Sequence, residues 1–100
     1  MTPEGKVKAE IKRILVTHKI YHFMPQPGLA CRRGIPDFIC SVNGFMLAIE
    51  AKAADKKPTA LQQRELDAIN ASGGIALCIN ATNLDTLVSS IAYLKSLEVR

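Results

Sequence analysis

The chain contains no tryptophan, few aromatic residues and an odd number of cysteines: 5% of its 100 residues are aromatic, and Cys31, Cys40 and Cys78 are the three thiols. Widely spaced and set mostly in apolar surroundings, those cysteines suit reduced thiols rather than a disulfide framework or a zinc cluster. No apolar run approaches the ~18 residues of a membrane-spanning helix. The opening Met1-Thr2-Pro3-Glu4-Gly5-Lys6 lacks the apolar core of a signal peptide, so an intracellular location is expected. No glycine-rich phosphate loop precedes a lysine, and no Cys-His or Ser-His-Asp motif is present, which argues against a P-loop ATPase and against thiol or serine hydrolysis. His18 and His22 have the spacing of a zinc-binding pair, but Lys19 stands where a zincin carries its glutamate. Internal repeats, low-complexity tracts and interdomain linkers are also missing.

What remains is an ordinary globular composition, 48% hydrophobic and 22% charged. A single domain over 1–100 is expected, long enough to bury a modest core without staples. Formal net charge is +4, and its distribution is uneven. Up to Lys57 there are ten basic against five acidic residues; beyond it, three against four. A basic half points to a polyanion, nucleic acid being the usual one, although a merely basic surface carries the same charge.

Within that half, Phe38 to Val42 and Phe45 to Ile49 are apolar runs rich in β-branched and aromatic residues. Asn43-Gly44 joins them, the commonest type I′ hairpin loop. If Val42 and Phe45 flank the loop, Asp37 falls opposite Glu50, where like charges destabilise unless something neutralises them. Lys52, two residues beyond Glu50, shares its face. Two carboxylates and an ammonium are thereby gathered in a pattern that suits a divalent cation and a phosphate. A β-bulge near either carboxylate would break this register.

Thr2-Pro3-Glu4 starts a helix, with Val7, Ile11, Ile14, Leu15 and His18 as its buried stripe and an end near Ile20. Glu10 lies at the border of that stripe and reads as a solvated carboxylate paired with Lys6 or Arg13. A short extended segment over residues 21–24 precedes the turn Pro25-Gln26-Pro27-Gly28. Residues 29–34 then carry Arg32 and Arg33 to the hairpin, either as phosphate ligands or as a solvated basic loop. Lys56 and Lys57 add two more cations after Lys52. Thr59-Ala60-Leu61-Gln62 has capping-box spacing and opens a helix that runs to about Ser72 and stops at Gly73-Gly74. Gln62 sits within the apolar arc of that helix, so its amide needs partners, from the cap or from a site. Ile75 to Ile79 reads as a strand covered on both faces, and Asn83 caps a last helix whose stripe is Leu84, Leu87, Val88, Ile91 and Leu94. The resulting order is αβββαβα, an α/β fold with a mixed sheet flanked by helices.

Pro36-Asp37 with Glu50-Ala51-Lys52 resembles the core motif of the PD-(D/E)xK nucleases. Arg33-Gly34-Ile35-Pro36-Asp37 and the later Thr59-Ala60-Leu61-Gln62 resemble its VRR-NUC branch in particular, over most of the chain. The resemblance implies a restriction-endonuclease-like core and hydrolysis of DNA phosphodiesters with Mg²⁺ or Mn²⁺. Metal ligands would be Asp37, Glu50, the Ala51 carbonyl and, as the helical glutamate, Glu10. Lys52 would position or deprotonate the attacking water or neutralise developing charge, and Gln62 would orient that water or a phosphate. Arg32, Arg33, Lys56 and Lys57 would bind DNA. Stand-alone members are similar to Holliday-junction resolvases that act as homodimers. The alternative from another class is a non-catalytic nucleic-acid-binding module that keeps the fold.

Overall fold

A computed structural model describes residues 1–28 and 31–98. Residues 29–30, which open the arginine loop, and residues 99–100 lie outside that description. The elements are α1 (Pro3–Thr17), β1 (Tyr21–Phe23), β2 (Phe38–Val42), β3 (Phe45–Ala51), α2 (Ala60–Ala71), β4 (Ile75–Ile79) and α3 (Leu84–Ser96). The strands form one mixed sheet in the order β1-β2-β3-β4. β1, β2 and β3 are antiparallel neighbours, and the crossover through α2 lays β4 parallel to β3. The α/β class and the element order agree with the sequence reading.

The hairpin register follows from its loop. Asn43 and Gly44 both take positive φ, 54° and 82°, as a type I′ turn requires. Pairing then runs without a bulge from Val42↔Phe45 to Phe38↔Ile49. One face of the sheet carries Phe38, Cys40, Val42, Leu47, Ile49, Ala51 and Ile79, and packs with Val7, Ile11, Ile14 and Leu15 of α1 and Leu87, Ile91 and Leu94 of α3. Because side chains alternate, Ile39, Ser41, Met46, Ala48 and Glu50 occupy the opposite face. There α2 buries only Glu65 and Leu66.

One boundary and two local details differ from expectation. α1 stops at Thr17, because Lys19 turns left-handed at φ 58° and Ile20 N–H bonds back to the Leu15 carbonyl. His18 is therefore its C-cap and not a stripe residue. β4 is an edge strand, buried only at Ile79 and half-buried over 75–78, because no further strand adjoins it and α2 covers it thinly. Asn83 stands at the N-cap of α3 but makes no side-chain cap bond; its amide instead accepts from Asn80 N–H and donates to the Cys78 carbonyl.

Candidate active site

Glu50 lies near the end of the central strand β3, where neighbouring strands and α2 leave it only 2% exposed. Asp37 stands one residue before β2, at a bend where the ladder has ended. Its Oδ2 accepts the Ala51 N–H at 2.9 Å, so Asp37 stays beside β3 without a strand pair of its own. Lys52 Nζ is 3.8 Å from Glu50 Oε2, and the Lys52 side chain is largely sheltered. Asp37, Glu50 and Lys52 are thus gathered, but the direct cross-strand pairing of Asp37 with Glu50 expected from the turn is not formed, because the ladder stops at Phe38↔Ile49 and Asp37 is held by the Ala51 N–H instead.

Gln62 takes one partner from the helix cap and another from the Glu50 carboxylate. Its Oε1 accepts the Thr59 N–H while Thr59 Oγ1 accepts the Gln62 N–H, which closes the capping box. Its Nε2 donates to Glu50 Oε2 at 3.0 Å. The helix start is thus bolted to the carboxylate.

Glu50 Oε2 is satisfied by these contacts, whereas the buried Oε1 has no hydrogen-bond partner among the described residues. Burial first, then the adjacent Asp37 carboxylate, push the Glu50 pKa up to about 8, against the opposing pull of Lys52. Buried polar atoms are rarely left unpaired, and a carboxylate oxygen in this condition beside a second carboxylate suits a cation. Among the described residues no three His, Cys, Asp or Glu side chains form a complete metal cage. Mg²⁺ seldom needs one: it commonly takes one or two carboxylates and keeps waters and substrate phosphate oxygens. The pair therefore fits such an ion, with Ala51 tied to the site by its N–H.

The helical glutamate beside this pair is not Glu10. Arg13 holds Glu10 at 2.6 Å on the exposed side of α1, and that hydrogen bond lowers its pKa. Glu10 instead borders a small pocket with Pro3, Lys6, Val7, Ala81 and Leu84. The α1 carboxylate whose charge reaches Glu50 is Glu4. Lys8, one turn later, bridges Glu4 at 3.6 Å and Asp37 Oδ1 at 3.5 Å.

Arg32 is also placed otherwise than expected. Its guanidinium forks onto Glu65 of α2, with Nη2 to Oε1 at 2.9 Å and Nε to Oε2 at 3.1 Å. That hydrogen bond holds the Glu65 carboxyl below its usual range. The loop is pressed against α2 as well: a Cβ on Gly34, at φ +88°, would lie 2.6 Å from the Leu61 carbonyl oxygen. Arg33, Lys56 and Lys57 are exposed and form no ion pair among the described residues. Lys8, Arg33, Met24, Pro27 and Pro36 help line an open cleft of about 630 Å³ that ends on Asp37.

No family model, curated protein or solved structure matches the chain.

Sequence reasoning did not place Glu4, Lys8 or Glu65 at the site. The first two carried a signal, since an acid four residues before a lysine on a helix forms a pair. Glu65 did too, lying three residues after Gln62 on the same helix face. Cys78 is the β4 partner of Glu50; burial first and then the nearby carboxylates push its thiol pKa up, which suits an inert thiol. Burial likewise raises Cys40 to about 12. No described helix is long and apolar enough to cross a membrane.

Proposed function

We propose that this protein is a divalent-metal-dependent DNA endonuclease with a restriction-endonuclease-like core, of the VRR-NUC branch of the PD-(D/E)xK nucleases. The observation that carries the proposal is the proximity of Asp37 to a buried Glu50 whose Oε1 has no hydrogen-bond partner among the described residues, with Lys52 alongside. Asp37 and Glu50 are the carboxylates that would hold the ion. When bound, Mg²⁺ or Mn²⁺ supplies Lewis-acid stabilisation of the phosphate and lowers the pKa of a nucleophilic water. Lys52 orients the attacking water or offsets charge developing on the phosphate oxygens. Gln62 is a positioning residue: it fixes the Glu50 carboxylate through Nε2. Arg33, Lys56 and Lys57 contact flanking phosphates, while Arg32 shapes the loop through Glu65.

The deciding experiment incubates the protein with branched and linear DNA in Mg²⁺, Mn²⁺ or chelator, beside Asp37→Ala and Lys52→Ala. Metal-dependent cutting that both substitutions abolish is expected. Uncut DNA in every lane with binding retained would leave the non-catalytic binding module as the answer.

Symmetric incision of a four-way junction needs two sites, and one small domain offers little surface for choosing a substrate. The protein is therefore proposed to act as a homodimer on branched DNA. Light scattering during active junction cutting tests this, and a monomer under those conditions would defeat it.

A further inference from the structure

The catalytic face of the sheet is only half covered. α2 overlies the β3 and β4 side, while β1 and β2 extend past it. Tyr21, His22 and Phe23 pair with Ser41, Cys40 and Ile39 in turn. His22 turns toward the core, its ring 6.3 Å from that of the fully buried Phe38. By alternation, Tyr21 and Phe23 share the face of Ile39, Met46 and Glu50. They are 73% and 51% exposed, and Met46 is 39% exposed. Two of the chain's few aromatic rings thus stand side by side on a three-residue strand, in water.

Their position relates them to the carboxylates. Phe23 is opposite Ile39, two residues from Asp37, which places their Cα atoms roughly 8 Å apart at ordinary strand spacings. The cleft between the end of β1 and Asp37 includes Met24, Lys8 and the cation Arg33, which forms no ion pair among the described residues. The patch itself, Tyr21, Phe23, Ile39, Ser41 and Met46, carries no charge. Flat rings beside cations complement the two parts of a nucleotide, its base face and its phosphate.

We propose that Tyr21 and Phe23 are a stacking platform for unpaired nucleobases adjoining the scissile phosphate, so that the substrate is a strand with exposed bases and not a continuous duplex. In a duplex the base faces are already stacked on one another; at a junction, flap or gap they are free. This deepens the nuclease reading and rests on it for the phosphate's position, but its test reads binding without cleavage.

With no tryptophan and only Tyr21 and Tyr93 as tyrosines, Tyr93→Phe leaves Tyr21 as the emitter. In chelator, a short oligodeoxythymidylate should quench that emission, and a duplex of equal length should quench it far less. Tyr21→Ala or Phe23→Ala should weaken oligodeoxythymidylate binding, followed by anisotropy, by roughly fivefold or more. Tyr21→Phe should retain affinity, and Phe23→Leu, still apolar but without a ring, should not. Because these side chains are exposed, unchanged thermal melts should accompany the losses. Unquenched emission, or full affinity in Phe23→Leu, would overturn the platform. So would a dimer that Phe23→Ala dissociates without changing DNA affinity, since the face would then belong to a second copy. Cleavage in Mg²⁺ without quenching defeats the platform alone; quenching without cleavage defeats the nuclease reading alone.

Discussion

Glu50 is a carboxylate folded into the middle of a sheet, and pH dependence should reveal it. Its folded pKa, about 8, lies above the ordinary 4.5, so the fold favours the protonated acid. Its contribution to stability is complete below the ordinary carboxyl range and is lost as pH rises toward 8. In chelator, the melting temperature should therefore fall between about pH 5 and pH 8. Glu50→Gln should flatten that fall. Mg²⁺ should raise melting more at pH 8 than at pH 6, because an ion binds the deprotonated form. Scanning fluorimetry with an external dye at several pH values checks all three. Gln62 offers a second test. Thr59→Ala removes only the cap and should cost about 1 kcal/mol. Gln62→Ala also strips Glu50 Oε2 of its donor and should cost about 1–3 kcal/mol more, measured by urea unfolding. Much of this residue set was legible because one dipeptide, Asn43-Gly44, fixes which side chains oppose. Glu10 was misplaced because its partner choice depends on how α1 is rotated against the sheet, which helical spacing bounds only loosely. The local alternative, an ion pair with Arg13, was visible from the sequence and is the one realised.

The loop between Cys31 and Asp37 owes its shape to α2. Gly34→Ala forces a side chain into a left-handed position and into the Leu61 carbonyl; a loss of roughly 2 kcal/mol or more is expected. Arg32→Lys keeps the charge and forfeits the fork onto Glu65, so amide exchange over the loop should quicken even where global stability changes little. An unaltered exchange pattern would mean that the fork does not hold the loop. The basic character of this segment was plain in the sequence, but the partner was not. Glu65 is 33 residues away, and nothing in the spacing of Arg32-Arg33 says which of the two turns inward. The half-buried edge position of β4 was hidden for a related reason. An apolar run reads the same whether a strand is central or ends a sheet whose helix covers it poorly.

Taken whole, the molecule keeps its basic excess on the half that holds the hairpin. DNA affinity in chelator should decline steeply with salt, and Arg33→Ala and Lys57→Ala should each reduce the log–log slope by about 1. Arg32→Ala should leave the slope nearly unchanged and lower stability instead, because its charge is committed to Glu65. The α/β order was recoverable from the sequence since most elements carried a start or stop signal: Thr2-Pro3, Asn43-Gly44, Thr59 with Gln62, and Gly73-Gly74. How helices divide between the two faces was not, because it depends on packing among α1, α3 and the sheet. The lone Oε1 of Glu50 has a consequence for inheritance. A group that weakens the fold at neutral pH survives only while its chemistry is in use. In a lineage released from that demand, or in a laboratory selection for heat tolerance alone, Glu50 should be among the first residues exchanged, with Gln or an apolar side chain in its place. The identity of position 50 in descendants would then record whether the protein still works.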